Sequence, residues 1–142
     1  MKISARNVFD GHIDAVRLGA INSEVEVALP GDLKIVATVT NDAVRELNLA
    51  AGKPVQAFVK ASSVLIIPGS GDVRVSARNR LGGSITSITE GPVSSDVSIA
   101  LGNGQTVHAT ITHEASVALG LKVGTPAIAV FKAPSVILGV AG

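Results

Sequence analysis

Two arginines and two lysines are the residues of this sequence best placed to do chemistry, and the chemistry they suit is anion binding. Arg6 stands in Ser4-Ala5-Arg6-Asn7 and Arg78 in Ser76-Ala77-Arg78-Asn79, the same tetrapeptide 72 residues apart in a chain of 142. Lys60 and Lys132 keep that spacing, each followed by alanine. With this offset, residues 3–67 align on 75–139 without a gap, so the chain is two copies of one unit. Of the twelve Lys and Arg residues, these four alone are identical across the copies. Among the acids, only Glu24/Asp96 and Asp42/Glu114 keep their sign. No acid stands beside both kept cations in sequence, so they are expected to lack a dedicated carboxylate, as an anion site requires.

The neighbours extend the donor set. If Ser-Ala-Arg is strand, residues i and i+2 share a face, which would point Ser4 with Arg6 and Ser76 with Arg78. Lys60-Ala61-Ser62-Ser63 and Lys132-Ala133-Pro134-Ser135 add cations, backbone groups and hydroxyls. Thr40 and Thr112 precede short helical patterns, whose first N–H groups favour anions. Each feature has a plainer reading when taken alone: an arginine on a solvated face or in an ion pair, a threonine that only caps a helix, turn glycines at Gly11/Gly83 and Gly19/Gly91. Retention in both copies, against wide drift elsewhere, favours the functional reading.

The elements that must position these residues are mostly strands. Ser23–Leu29 and Ser95–Leu101 alternate polar and apolar residues. Turns follow at Pro30-Gly31-Asp32 and Gly102-Asn103-Gly104, and the return strands are Lys34–Thr40 and Thr106–Thr112. A short helix capped by Thr40 or Thr112 comes next. A β-branched run closes each unit, at 55–67 and 127–140. The fold class is therefore all-β with one short helix per repeat. It reads as two tandem OB-like barrels of five strands, the helix before the last strand. The domains are placed at 1–69 and 73–142, joined by a linker at 68–72.

Composition narrows the function classes. There are no cysteines, three scattered histidines and no metal-binding motif. Three phenylalanines, no Tyr or Trp, and a net charge of +1 argue against a single-strand nucleic-acid binder, which needs stacking platforms and a basic groove. No catalytic triad or carboxylate pair occurs in both copies, so an enzyme is not expected. Apolar residues make up 46% of the chain and charged ones 16%, which suggests surface buried between subunits. A purely structural oligomer would explain that excess but not the kept Arg and Lys. No apolar run is long enough to span a bilayer and the start lacks a signal-peptide core, so a cytoplasmic protein is expected.

The Ser-Ala-Arg-Asn start, the glycine after it, the Gly-containing hairpin, the Thr-led helix and Lys-Ala before the last strand together resemble the Mop family of molybdate-binding proteins, the molbindins. The likeness covers almost all of both halves, in the manner of the stand-alone two-Mop storage form. It implies OB-like barrels that exchange a strand with a neighbouring unit, and a homotrimer. The ligand it implies is molybdate, with tungstate as an analogue, bound for molybdenum homeostasis. Sites at unit interfaces are implied at Ser4, Ala5, Arg6, Asn7, Thr40, Lys60, Ala61 and Ser62. The second copy supplies Ser76, Ala77, Arg78, Asn79, Thr112, Lys132, Ala133 and Pro134. Sites on a threefold axis are implied near Gly19, Ile21, Asn22 and Ser23, and near Gly91, Val93, Ser94 and Ser95. Two departures stand out. Ala43 and Ala115 occupy a position where some relatives carry serine, and Pro134 replaces Ser62, removing a hydroxyl and a backbone donor.

Molybdate is a tetrahedral dianion without a proton at pH 7. A pocket lined only by donors accepts it and disfavours monohydrogen phosphate, whose unpaired proton would cost roughly 1–3 kcal/mol. Sulfate, also aprotic, must be rejected by its smaller size.

Overall fold

The polar–apolar alternation becomes sheet in both copies. The computed structural model describes residues 3–71 and 74–141. Lys2, Asp72 of the linker and the outermost residues of the two assigned domains lie outside them. The first copy runs β1 (Asn7–Leu18), β2 (Asn22–Leu29), β3 (Leu33–Thr40), α1 (Asn41–Glu46), β4 (Pro54–Val59) and β5 (Leu65–Pro68). The second follows as β6 (Asn79–Glu90), β7 (Ser94–Ala100), β8 (Thr106–Thr112), α2 (His113–Leu119), β9 (Pro126–Phe131) and β10 (Ile137–Gly139). On β2, Val25, Val27 and Leu29 turn inward while Glu24 and Glu26 face outward, the two-residue period of a sheet with one wet face.

Three expectations are corrected. The closing β-branched run is two strands, because a 3-10 turn at Ala61–Ser63 breaks it, and Ala133–Ser135 does the same in the second copy. The Ser63 amide donates to the Lys60 carbonyl at 2.9 Å and Ser135 to Lys132 at 2.9 Å. The helix therefore precedes the last two strands, not the last one. Second, Ser4–Arg6 and Ser76–Arg78 precede β1 and β6 rather than lying in them, so strand geometry does not align serine with arginine. Third, Gly11 and Gly83 are mid-strand, not turn, residues. A Cβ there would come within 2.5 Å of the Ala28 carbonyl oxygen or 2.0 Å of that of Ala100, so only glycine lets the backbones approach.

The strands form two five-stranded antiparallel sheets, ordered β10-β4-β1-β2-β3 and β5-β9-β6-β7-β8. Each takes its outermost strand from the other copy. Ile137, Leu138 and Gly139 of β10 pair with Phe58, Ala57 and Gln56 of β4. Leu65–Pro68 of β5 pair with Ala127–Val130 of β9. Strand exchange, expected between units, is thus reciprocal within one chain. The short 61–63 turn packs on β8 and the 133–135 turn on β3, while β10 also reaches β3, so each sheet curls toward closure on residues of the opposite copy.

Asn7 and Asn79 complete the docking. The Asn7 side-chain amide donates to the His108 carbonyl at 2.7 Å and accepts from the His108 N–H at 2.7 Å. Asn79 does the same with Val36: its amide donates at 2.8 Å and its oxygen accepts at 2.7 Å. Val36 and His108 lie on the terminal strands β3 and β8, and each asparagine satisfies one outward pair of backbone groups there. Both asparagines are buried. Phe9, Ile13, Val27, Ile35, Leu81, Ile99 and Phe131 belong to one hydrophobic cluster that runs through both copies.

Candidate functional site

The kept residues gather in two pseudo-equivalent clusters, each built across the copies. Asn79 docks on β3 and sets the preceding Arg78 beside β2, where its guanidinium meets Glu24 at 2.7 Å. The turn after Lys132 packs on the same β3, which ends at Thr40. In the other cluster Asn7 docks on β8, Arg6 meets Asp96 at 3.0 Å, and the turn after Lys60 packs on β8, which ends at Thr112. Thr40 therefore lies on the strand that receives the second copy's Ser76–Asn79 and Lys132–Pro134, and Thr112 on the one that receives Ser4–Asn7 and Lys60–Ser62. Each threonine thus stands on the strand that docks the opposite copy's arginine segment. Strand exchange makes the difference, and sequence spacing carries no sign of it.

The expectation that the arginines lack a dedicated carboxylate is also corrected. Each has one, supplied by the opposite copy, and the partners are the acids that kept their sign, Glu24 and Asp96. That retained pair was the signal in the sequence. Asp96 also accepts from the Thr110 hydroxyl at 2.8 Å. Glu24 has a second cation, Arg17, at 3.6 Å, and Arg17 bonds Glu26 at 2.9 Å. The Lys60 and Lys132 side chains are exposed, and their ammonium groups make no hydrogen bond or ion pair among the described residues. The side-chain amides of Asn7 and Asn79 are occupied by backbone. Ala61 and Ala133 are buried beneath their turns; Pro134 sits at the start of its 3-10 turn, where a fixed φ is tolerated. The Thr40 and Thr112 hydroxyls each accept an amide, from Ala43 and Ala115, at 3.1 Å. The plainer reading as caps is realised.

The hairpins at Gly19–Ser23 and Gly91–Ser95 are held differently. Asn41 donates from its side chain to the Gly19 carbonyl at 2.9 Å and accepts from the Ser23 hydroxyl. In the second copy His113 replaces Asn41. The Ser95 hydroxyl and His113 Nδ1 are buried there without a partner among the described residues, while the Gly91 amide closes its own turn on Ser94 at 2.9 Å. Register sets Asn22 opposite Thr40 and Ser94 opposite Thr112, so each hairpin adjoins one cation cluster. Ile21 and Val93 at the tips are 76% and 80% exposed, and Leu18 is exposed beside Ile21.

His108, which docks Asn7, bonds the Ser98 hydroxyl through Nδ1 at 3.0 Å. Burial, and secondarily the Arg6 charge, push its pKa below the usual 6.5, while Asp96 pulls it up. The unfolded chain therefore takes the proton first. Stability should be flat above pH 6.5 and fall as pH drops from there toward the lower folded value. Melting curves across that interval should show the fall, and His108→Gln should lessen it; an unchanged profile would assign the acid sensitivity to other groups.

Two concavities of about 550 and 410 Å3 lie beside the exchanged strands, one lined by Asp10, Pro54, Gln56 and Gly139, the other by Gly69, Arg80, Gly82 and Ile128. Neither contains the kept cations, which stand on open surface. Among the described residues no group of three or more His, Cys, Asp or Glu converges as a metal site, and no helix is long and apolar enough to cross a membrane.

Comparison with known proteins sets this geometry in a family. A TOBE domain model matches residues 3–66 and again 75–138. The chain belongs to the TOBE-domain family. Its two TOBE repeats are 43% identical over 138 residues to the molybdenum-pterin-binding protein MopA of Rhodobacter capsulatus, covering 97% of this chain and 52% of that protein. They are 42% identical over 142 residues to the molybdenum transport protein ModE of Azotobacter vinelandii, covering 100% and 52%. The chain thus spans about half the length of these curated relatives. A crystal structure of the cytoplasmic molybdate-binding protein ModG, with molybdate bound, matches the paired TOBE repeats at 49% identity and a TM-score of 0.95. The match covers 99% of this chain and 100% of that one. The likeness to the Mop family read from the repeated tetrapeptide is borne out.

Proposed function

We propose that the chain binds molybdate, and tungstate equally, and stores and buffers it in the cytoplasm as a homotrimer, without catalysing a reaction. The observation that carries this reading is the likeness along the whole chain to ModG, a protein crystallised with molybdate. The geometry supplies the donors such a ligand needs. Each cluster has one guanidinium, one ammonium without a competing partner among the described residues, and the serines of the Ser-Ala-Arg-Asn and Lys-Ala segments. The cations stand on open surface rather than in a cavity, as expected if a second chain provides the far wall. Exposed Leu18, Ile21 and Val93 at the hairpin tips offer apolar area for that contact. A site completed by assembly couples ligand binding to the oligomer.

Titration calorimetry with molybdate, tungstate, sulfate and phosphate, joined to a mass measurement, tests the reading. Molybdate and tungstate should release heat at micromolar concentration and phosphate should not. Silence with molybdate would end the proposal, and a monomeric mass would end its trimeric part. Arg6→Ala and Arg78→Ala should each remove about one site per chain, since a charge-assisted contact to the anion goes with the guanidinium. Full stoichiometry in both variants would confine the arginines to their ion pairs.

A further inference from the structure

A donor-only site is what separates molybdate from monohydrogen phosphate, yet in this structure each arginine already holds a carboxylate. Were Glu24 or Asp96 to stay beside the bound anion, it would offer the acceptor that a phosphate proton seeks and would repel a dianion. We propose that Glu24 and Asp96 are built-in counter-ions of Arg78 and Arg6, displaced when the oxyanion binds, and that displacement costs less at the Arg78 site because its released carboxylate has another cation to receive it. This rests on the molybdate reading of the same clusters.

The geometry supports displacement. The arginines are exposed and the acids partly so, with side chains 47% and 44% accessible for Arg6–Asp96 and 54% and 28% for Arg78–Glu24. Pairs of this kind contribute little and exchange readily. A dianion bearing several acceptor oxygens outcompetes one carboxylate for a guanidinium flanked by a lysine. The pairs also cross from one copy to the other, so an empty site still tethers its arginine.

The two acids differ in what they have left after release. Glu24 lies 3.6 Å from Arg17, which already bonds Glu26 and accommodates a second carboxylate. Asp96 has the neutral Thr110 hydroxyl at 2.8 Å and no second cation among its described ion pairs. The position matching Arg17 is Thr89. Asp96 therefore leaves Arg6 with less compensation, and it competes longer with the ligand.

The test is molybdate calorimetry on the full chain and on Glu24→Gln, Asp96→Asn, Arg17→Gln and the Glu24→Gln/Arg17→Gln pair. Glu24→Gln should tighten the Arg78 site and Asp96→Asn the Arg6 site, each by roughly two- to fivefold, the range of an exposed ion pair. Arg17→Gln alone should weaken the Arg78 site but have no effect in the Glu24→Gln background, because the arginine acts by receiving Glu24. Equal weakening in both backgrounds would mean that Arg17 acts only as a distant charge, and the proposal would fall. Unchanged affinity in Glu24→Gln and Asp96→Asn, with wild-type binding intact, would overturn the counter-ion role and leave the molybdate reading standing. Absence of binding by the wild type would remove both.

Discussion

Asn79→Ala should cost the protein about 2–6 kcal/mol, because it strips the partner from both the N–H and the C=O of Val36 at a part-buried contact, at roughly 1–3 kcal/mol for each orphaned group. Against a total stability of about 5–15 kcal/mol this is a large fraction. The melting temperature should fall by roughly 5–15 °C, from the usual scaling for chains of this length. Asn79→Asp keeps an acceptor for the Val36 N–H but turns a carboxylate oxygen toward the Val36 carbonyl in a buried place, so it should be at least as damaging. Asn7→Ala should reproduce the loss at His108. Urea or thermal unfolding decides the matter: a change below about 0.5 kcal/mol, ordinary for a surface position, would show that the amide is not holding the copies together. The result also separates two roles for the same residue. A ligand contact would lose affinity with the fold intact, whereas a positioning residue loses stability first.

Deleting residues 136–142 should unfold the first copy before the second. The deletion removes β10 and with it buried Val136 and Leu138, each worth about 2–5 kcal/mol by analogy with large-to-small core changes. The partner it abandons is β4, at residues 54–59. Hydrogen exchange should therefore quicken first in β4 and in β1 beside it, far from the cut in sequence, while β9 keeps its β5 neighbour and β6 stays paired to β9. Loss of protection confined to β6 and β9 would mean that each copy closes with its own last strand. The uncovered edge of β4 should also promote self-association, since an unpaired strand templates another.

How much of this was legible in the sequence depends on the range of the interaction that decides each feature. The hairpins and the threonine caps are local, and alternation in Ser23–Leu29 or a threonine before Asn41-Asp42-Ala43 is enough to place them. The 3-10 turns escaped because Val55–Ile67 is apolar on both sides of Lys60-Ala61-Ser62-Ser63, and hydropathy alone does not mark a short turn inside such a run. Gly11 and Gly83 look like turn residues until β2 and β7 are laid against them, because the oxygen that forbids a Cβ belongs to another strand. The arginine partners were hidden for the same reason: Arg78 and Glu24 are 54 residues apart, and only the cross-copy docking of Asn79 brings them together. The tetrapeptide itself was read correctly as the mark of the family. The side-chain amide of its last residue bonds the backbone of the opposite copy, a contact that no local pattern marks.

The reciprocal exchange of β5 and β10 also sets an order of assembly during synthesis. Domains ordinarily fold as they emerge, the N-terminal one first. Here the sheet begun by β1 has no final strand until residues 137–139 have been made, so the half synthesised first is the half completed last. Until then the nascent chain carries an open β4 edge, and its β5 stays unpaired until β9 is made, so a neighbouring nascent copy could capture either. Duplicating the unit within one chain removes the need to find that partner by diffusion, and leaves the first half dependent on synthesis of the second.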